Sequence, residues 1–278
     1  MSTPPRIALA CSGLGHVRRG NETWAVTAAS ALHAAGVDIT LLGGGPRPGG
    51  SCPYVQIWNW PRESALTRCL SWHQRYLLEQ RTFTVSLRRW LRNHSHGITH
   101  IADPALAMGI LKQARSLGTR VLYKDGLLLG PEWCARFDFT QVLAPWYLEQ
   151  ALATGMDTGK WFAIPHLADT TRFAPATDPA RVRPALFSGS IDAKDFVVLA
   201  VGDYSPGSNK RLDWIVSEFA RLDPAAPARL VLAGAASGAD HQAFRRQAET
   251  ALGHRVRVLA NLPAEDMARL YQAADVFV

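Results

Sequence analysis

Phe196-Val-Val-Leu-Ala-Val201 runs into Gly202-Asp-Tyr-Ser-Pro-Gly207-Ser-Asn-Lys210-Arg211, and Leu212, Ile215, Phe219 and Leu222 follow at helical spacing. An unbroken apolar run of six suits a strand covered on both faces, and the glycines and proline after it mark a turn. The reading is strand, turn, helix. Downstream the pattern repeats, with strands expected at 229–233, 255–259 and 275–278 and helices around 211–222, 240–252 and 264–273. Upstream it has already occurred once. The apolar run 6–11 leads into Ser12-Gly-Leu-Gly-His16 and a helical pattern over 22–35 that stops at Gly36, and further strands are expected at 37–42, 98–102, 120–123 and 141–144. Strands alternating with helices predict an α/β protein with two Rossmann-like, doubly wound parallel sheets in series. The expected division is a first domain over 1–173, a linker over 174–195 bearing prolines and aspartates, and a partial second domain over 196–278. That second sheet is still open at its fourth strand, so the chain reads as C-terminally truncated.

The 278 residues allow two cores, and 47% hydrophobic with 19% charged residues excludes disordered and fibrous classes. No apolar run approaches the ~20 residues of a membrane span and no signal-peptide core is present, so a cytoplasmic location is the default expectation. Cys11, Cys52, Cys69 and Cys134 are scattered and are expected to be buried thiols rather than zinc ligands or disulfides. The net charge of +7 is concentrated between residues 62 and 92, where seven arginines face only Glu63 and Glu79. No nucleic-acid motif accompanies it. In that segment Trp72, Tyr76, Phe83, Leu87 and Trp90 fall on one helical face, and Arg68, Arg75, Arg81, Arg88, Arg89 and Arg92 on the other. A core-packed helix with a solvated basic face accounts for this, and so does a peripheral contact with an anionic membrane or a phosphorylated acceptor.

Several local patterns carry candidate chemistry. Gly13-x-Gly15 resembles a dinucleotide turn, but Arg18 occupies the third glycine position and the second strand lacks a ribose-binding acid at its end, which disfavours NAD. Lys210 and Arg211 stand at a helix start, where free backbone N–H groups favour an anion such as a diphosphate. They do not form a Walker loop. Asp125 follows a parallel strand, at the edge where open α/β sheets place ligands, and a turn aspartate is the plainer reading. His94-x-His96 with His100 lacks the further ligands of a metal site, and no metal is expected.

Taken together, Phe196–Gly202, Asn209-Lys-Arg-Leu-Asp213, Arg229-Leu-Val-Leu-Ala-Gly234 and Ala268-Arg-Leu-Tyr-Gln-Ala-Ala-Asp-Val-Phe-Val278 resemble the retaining nucleotide-sugar glycosyltransferases of family 4. Gly20-Asn-Glu22 and Ala163-Ile-Pro-His-Leu-Ala-Asp-Thr-Thr-Arg-Phe-Ala-Pro175 resemble that family's acceptor-side helix and interdomain linker. The resemblance implies the GT-B fold, with donor held mainly by the second domain and acceptor by the first. It implies donor-binding roles for Gly202, Asp203, Lys210, Arg211, Asn261 and Leu262, and for Gly13 and Gly15 from the facing wall. His16 and Asp125 are the implied catalytic positions, although many members carry histidine where Asp125 stands. Asp203 replaces a common diphosphate-binding arginine, and Arg211 replaces a common glycine. The family's Glu-x7-Glu element would lie beyond Val278, so the chain is expected to be inactive in transfer. No cofactor is implied other than the donor itself. An NAD-linked or epimerase-type enzyme on a similar fold, and a non-catalytic sugar-nucleotide-binding remnant, are the alternatives.

Overall fold

A computed structural model describes residues 5–17, 19–178, 182, 183, 186, 187, 190–205, 207–234 and 238–278. Arg18, Pro206 and parts of the 174–195 stretch lie outside the described residues. The chain divides into two compact units, Met1–Ala168 and Asp169–Val278.

In the first unit the alternation expected from sequence builds seven parallel strands: β1 (Ile7–Cys11), β2 (Ile39–Gly43), β3 (Tyr54–Gln56), β4 (Ile98–Ile101), β5 (Arg120–Lys124), β6 (Phe139–Val142) and β7 (Trp161–Ala163). Their order is β3-β2-β1-β4-β5-β6-β7, so the chain reverses its direction of travel between β1 and β4. In open sheets such a reversal marks the carboxyl edge as the place where ligands are received. Helices α1 (Gly20–Ala34), α2 (Trp72–Asn93), α3 (Pro104–Leu111), α4 (Pro131–Cys134) and α5 (Pro145–Ala153) join the strands. One core gathers Phe83, Leu87 and Leu91 of α2 with Leu106, Ile110 and Tyr123; the other gathers Leu9, Trp24, Ile39 and Leu41. Strands β3 and β7 went unread because three residues show too little periodicity to register. β6 begins two residues before the expected start. Ala144, expected in that strand, instead precedes Pro145, which opens α5.

The second unit has β8 (Phe196–Val201), β9 (Ala228–Gly234), β10 (Val256–Ala260) and β11 (Val276–Phe277) in the parallel order β10-β9-β8-β11. Helices α6 (Leu212–Phe219), α7 (Gly238–Leu252) and α8 (Ala264–Ala273) connect them. The stretch read as a linker contributes to this unit. Phe187 and Ile191 join Leu199, Val231 and Leu270 in its core, and buried Arg183 pairs with Asp275 at 2.7 Å.

Helix α2 corrects the sequence reading of its two faces. Trp72 is exposed, whereas Phe83, Leu87 and Leu91 are buried. The arginines do not all face water: Arg88 donates to the carbonyl of Gly109, and the Nε of Arg75 is buried with no hydrogen-bond partner among the described residues. Arg62, counted among the free cations, is buried against Glu79. Arg68, Arg81, Arg89 and Arg92 remain exposed. Cys69 is also exposed, unlike the other three cysteines, because it lies in the turn before α2 rather than on a strand or packed helix. No helix among the described residues is long and apolar enough to cross a membrane.

Candidate functional site

At the first unit's switch point the loops after β1 and β4 are tied by one carboxylate. Asp103, following β4, accepts from the backbone N and Oγ of Ser12, both at 3.0 Å, and from Asn21 Nδ2 at 3.2 Å and Tyr76 OH at 3.0 Å. Beside it Arg62 donates to both oxygens of Glu79, and its guanidinium lies 3.7 Å from Glu22 Oε1. Two buried carboxylates thus share one guanidinium, and its charge also favours the ionised form of Asp103. Burial raises the proton affinity of Glu22 and of Asp103, and the hydrogen bonds from Ser12 offset part of the effect at Asp103. Among the described residues, buried Glu22 Oε2 and Asn21 Oδ1 have no hydrogen-bond partner.

The loop 13–16 rests on this network. A Cβ on Gly13 would lie 2.4 Å from Glu22 Oε1 and 2.5 Å from the Arg62 guanidinium. Gly15 adopts φ +86°, and a Cβ there would lie 2.5 Å from the Pro46 carbonyl oxygen. His16 Nε2 lies 3.0 Å from Asn59 Oδ1, while Asn59 Nδ2 donates to the Ser12 carbonyl. That second bond orients the amide so that Nε2 is the donor in this contact. Asp125, after β5, accepts from the backbone N–H groups of Leu127, Leu128 and Leu129 and from the Cys134 thiol. Its carboxylate therefore shapes the loop in which Leu128 takes φ 57°. His94 stacks on Trp90 and His96 also lies against that ring, so these histidines pack the end of α2.

In the second unit the carboxyl ends of β8, β9 and β10 converge. The Gly202 N–H donates to the Ala233 carbonyl, and a Cβ on Gly234 would fall 1.8 Å from the Gly202 oxygen. Only hydrogen fits there. Asn261, at φ 53°, donates its backbone N–H to the Gly234 carbonyl at 2.9 Å, and the following Leu262 packs on the core. Between Gly202 and α6, Asp203 Oδ1 accepts from Ser205 N and Oγ, and buried Tyr204 sets its hydroxyl 2.7 Å from the Leu259 carbonyl. These bonds stiffen the loop that carries Lys210 and Arg211. Lys210 is exposed, its Cβ laid over Gly202, where a Cβ would meet it at 2.7 Å. Arg211 is more constrained than its sequence position suggests. It holds φ 46°, pairs with Asp213 at 2.7 Å and stacks over Trp214 with its guanidinium carbon 3.6 Å from the ring centroid. Asp213 keeps the guanidinium more firmly protonated, and the guanidinium holds Asp213 below the usual carboxylate range.

These converging ends fall within one recognisable sequence region. Residues 195–278 match the family of Glycosyl transferases group 1. The match contains Gly202, Asp203, Lys210, Arg211, Asn261 and Leu262. No curated protein sequence matches the chain. Among solved structures the chain is similar to sucrose-phosphate synthase from Thermosynechococcus elongatus, at 16% identity and a TM-score of 0.73, covering 99% of this chain and 75% of that one. It is also similar to HepE from Anabaena in complex with UDP and glucose, at 14% identity and a TM-score of 0.67, covering 99% and 73%. The catalytic domain of starch synthase IV from Arabidopsis thaliana bound to ADP and acarbose shares 13% identity and a TM-score of 0.68, covering 99% and 78%. The α/β fold is that of the GT-B glycosyltransferases, with Rossmann-like parallel sheets in both units.

Proposed function

We propose that this protein is a retaining nucleotide-sugar glycosyltransferase of family 4, with the donor held by its second unit and the acceptor by its first. The observation that carries the reading is the convergence of Gly202, Gly234 and Asn261 with Lys210 and Arg211 inside the region matched to Glycosyl transferases group 1. Transfer of a sugar builds positive charge at the anomeric carbon and negative charge on the departing diphosphate, so preorganised cations and N–H donors beside that diphosphate lower the barrier. Lys210 supplies a mobile point charge. Arg211, held by Asp213 and Trp214, supplies a fixed one. The glycine contacts bring the ends of β8 and β9 together and seat Lys210 over them, and the Asn261–Leu262 backbone passes the nucleotide base. This scheme needs no metal and no side-chain nucleophile, because in retention by front-face attack the leaving diphosphate assists the acceptor hydroxyl. On the acceptor side, His16 uses Nε2 toward Asn59, which leaves its Nδ1 edge outside that contact, and Asp125 orders the loop after β5.

Calorimetry with UDP, ADP and GDP tests the donor assignment. One of them binds the chain, and Lys210→Ala with Arg211→Ala weakens it about tenfold or more. Unchanged affinity in the double variant removes the assignment. Product formed from a sugar nucleotide keeps the donor's anomeric configuration, as read by NMR.

The exposed arginines Arg68, Arg81, Arg89 and Arg92 extend the proposal to a peripheral contact with anionic lipid, alongside exposed Leu66 and Trp72. Arg75 and Arg88 contribute less, since the fold draws them inward. Sedimentation with anionic vesicles exceeds that with neutral vesicles and falls at high salt; equal, negligible binding to both dismisses this contact.

A further inference from the structure

The exits of β5, β6 and β7 lie side by side at the carboxyl edge of the first unit. The Asp125 N–H donates to the Gln141 carbonyl at 2.8 Å, the Ile164 N–H to the Val142 carbonyl at 2.9 Å, and Gln141 Nε2 to the Ile164 carbonyl at 2.9 Å. From these neighbouring exits the chain sends large apolar side chains into solvent. Leu127, Leu128 and Leu129 are 57, 58 and 42% exposed, and Trp146, Ile164 and Leu167 are exposed as well. Single exposed apolar side chains are ordinary, but a set of them on adjoining loops of one edge marks a surface that receives something.

The leucines are held out rather than left loose. Asp125 Oδ1 accepts from the backbone N–H groups of Leu127, Leu128 and Leu129, and Leu128 is kept at φ 57°, where a bulky side chain is strained and glycine would not be. A buried carboxylate thus fixes the backbone that presents them.

The charge of this edge narrows the occupant. Residues 126–130, 143–147 and 164–168 contain no Asp, Glu, Lys or Arg. An anionic lipid surface is drawn by exposed cations, and a protein interface is ringed by a polar rim; these loops provide neither. Sites for small molecules are mostly apolar, and parallel sheets receive such ligands at the carboxyl edge.

We propose that these loops hold the uncharged hydrocarbon part of a small amphiphilic acceptor. The acceptor role rests on the function proposed above, whereas the apolar site rests on the first unit's own geometry.

The test is calorimetry on the full chain with n-octyl β-glucoside below its micellar concentration, and with methyl β-glucoside as the probe that has the same sugar and no chain. The octyl glycoside is expected to bind about tenfold or more tightly than the methyl one, since each buried methylene adds to the affinity. Leu128→Gly removes one apolar side chain at a φ that suits glycine, so it tests the loop without unfolding it, and it is expected to weaken octyl binding about threefold or more. Trp146→Ala and the pair Leu127→Ser with Leu129→Ser are expected to weaken it as well, while Val85→Gln, at an exposed apolar position on α2, leaves it unchanged. Equal affinity for the two glucosides, or octyl binding that none of the loop variants weakens, overturns the proposal. Sedimentation with neutral phosphatidylcholine vesicles in the absence of octyl glucoside binding assigns the edge to a membrane. Self-association abolished by Leu127→Ser with Leu129→Ser assigns it to a second copy of the chain, and either result overturns the proposal. Nucleoside diphosphate binding reports on the donor assignment separately: where it fails and octyl glucoside still binds, the acceptor role falls and the apolar site stands.

Discussion

Gly15 shows how closely one residue ties the loop after β1 to the rest of its unit. Its φ of +86° is unfavourable for any side chain, and a Cβ would meet backbone of Gly45 and Pro46 within 2.8 Å. Gly15→Ala is expected to cost about 3 kcal/mol in urea unfolding, from left-handed strain and overpacking together. Gly20, which opens α1 with nothing within 4 Å of a Cβ, is the control. Gly20→Ala is expected to be neutral or stabilising by less than about 1 kcal/mol. Comparable losses in the two variants would show that the close approach at Gly15 does not matter.

His100 makes a second prediction at this scale. Burial, and then the charge of Lys124, depress its pKa from 6.5 to about 4, against the raising effect of Gln141. The folded chain therefore refuses a proton that the unfolded chain accepts. The stability this represents is fully present above pH 6.5 and is lost as pH falls toward 4, on the order of 3 kcal/mol in all. His100→Gln is expected to lose less stability than the unsubstituted protein between pH 7 and pH 4.5. Parallel pH profiles would refute that assignment.

Among the elements, α2 illustrates why helical periodicity and burial part company. Its start is specified locally: Ser71 Oγ accepts from Gln74 N at 3.3 Å, and Gln74 Oε1 accepts from Ser71 N at 2.9 Å. Removing this reciprocal cap in Ser71→Ala is expected to cost about 1 kcal/mol, measured by chemical denaturation. A change below a few tenths would mean that tertiary packing alone holds the first turn. The helix's lateral faces are set by distant partners. Glu79 and Gln80 are buried because Arg62 pairs with the first and the backbone N–H groups of Ala105 and Leu106 donate to the second. A helical wheel sets both on the face of Tyr76, Phe83 and Leu87, but their polar chemistry gives no hint of the partners that let them be buried there. In the same way Arg88 turns inward to the Gly109 carbonyl, which opens where Thr84 packs on Gly109.

For the molecule as a whole, each unit has its own sheet and its own cores. Such units unfold as separate cooperative bodies when the contact between them is weak. Differential scanning calorimetry is expected to resolve two transitions. A nucleoside diphosphate at about 100 times its Kd should move the second unit's transition by about 2.7 kcal/mol and leave the first nearly unchanged. Equal movement of both would place ligand contacts in the first unit as well.

The sequence by itself determined the alternation of strand and helix, the two sheets in series and the glycines at strand ends. Each follows from interactions within about ten residues: apolar runs long enough for a buried strand, and turns that tolerate no side chain. The placement of Lys210 and Arg211 at a helix start was legible for the same reason. The clasp of Arg211 by Asp213 and Trp214 is local too, two and three residues on, but it depends on a left-handed turn at Arg211 that no periodicity announces. Tertiary structure alone decided that Asp103 ties Ser12 to Tyr76, and that Lys124 lies over Trp24, whose ring edge meets His100. Those groups come from α1, α2, β4 and β5 and from the loops after β1 and β4. Only the strand order β2-β1-β4-β5 brings them to one edge, and that order is fixed by long-range hydrogen bonding that no local window records.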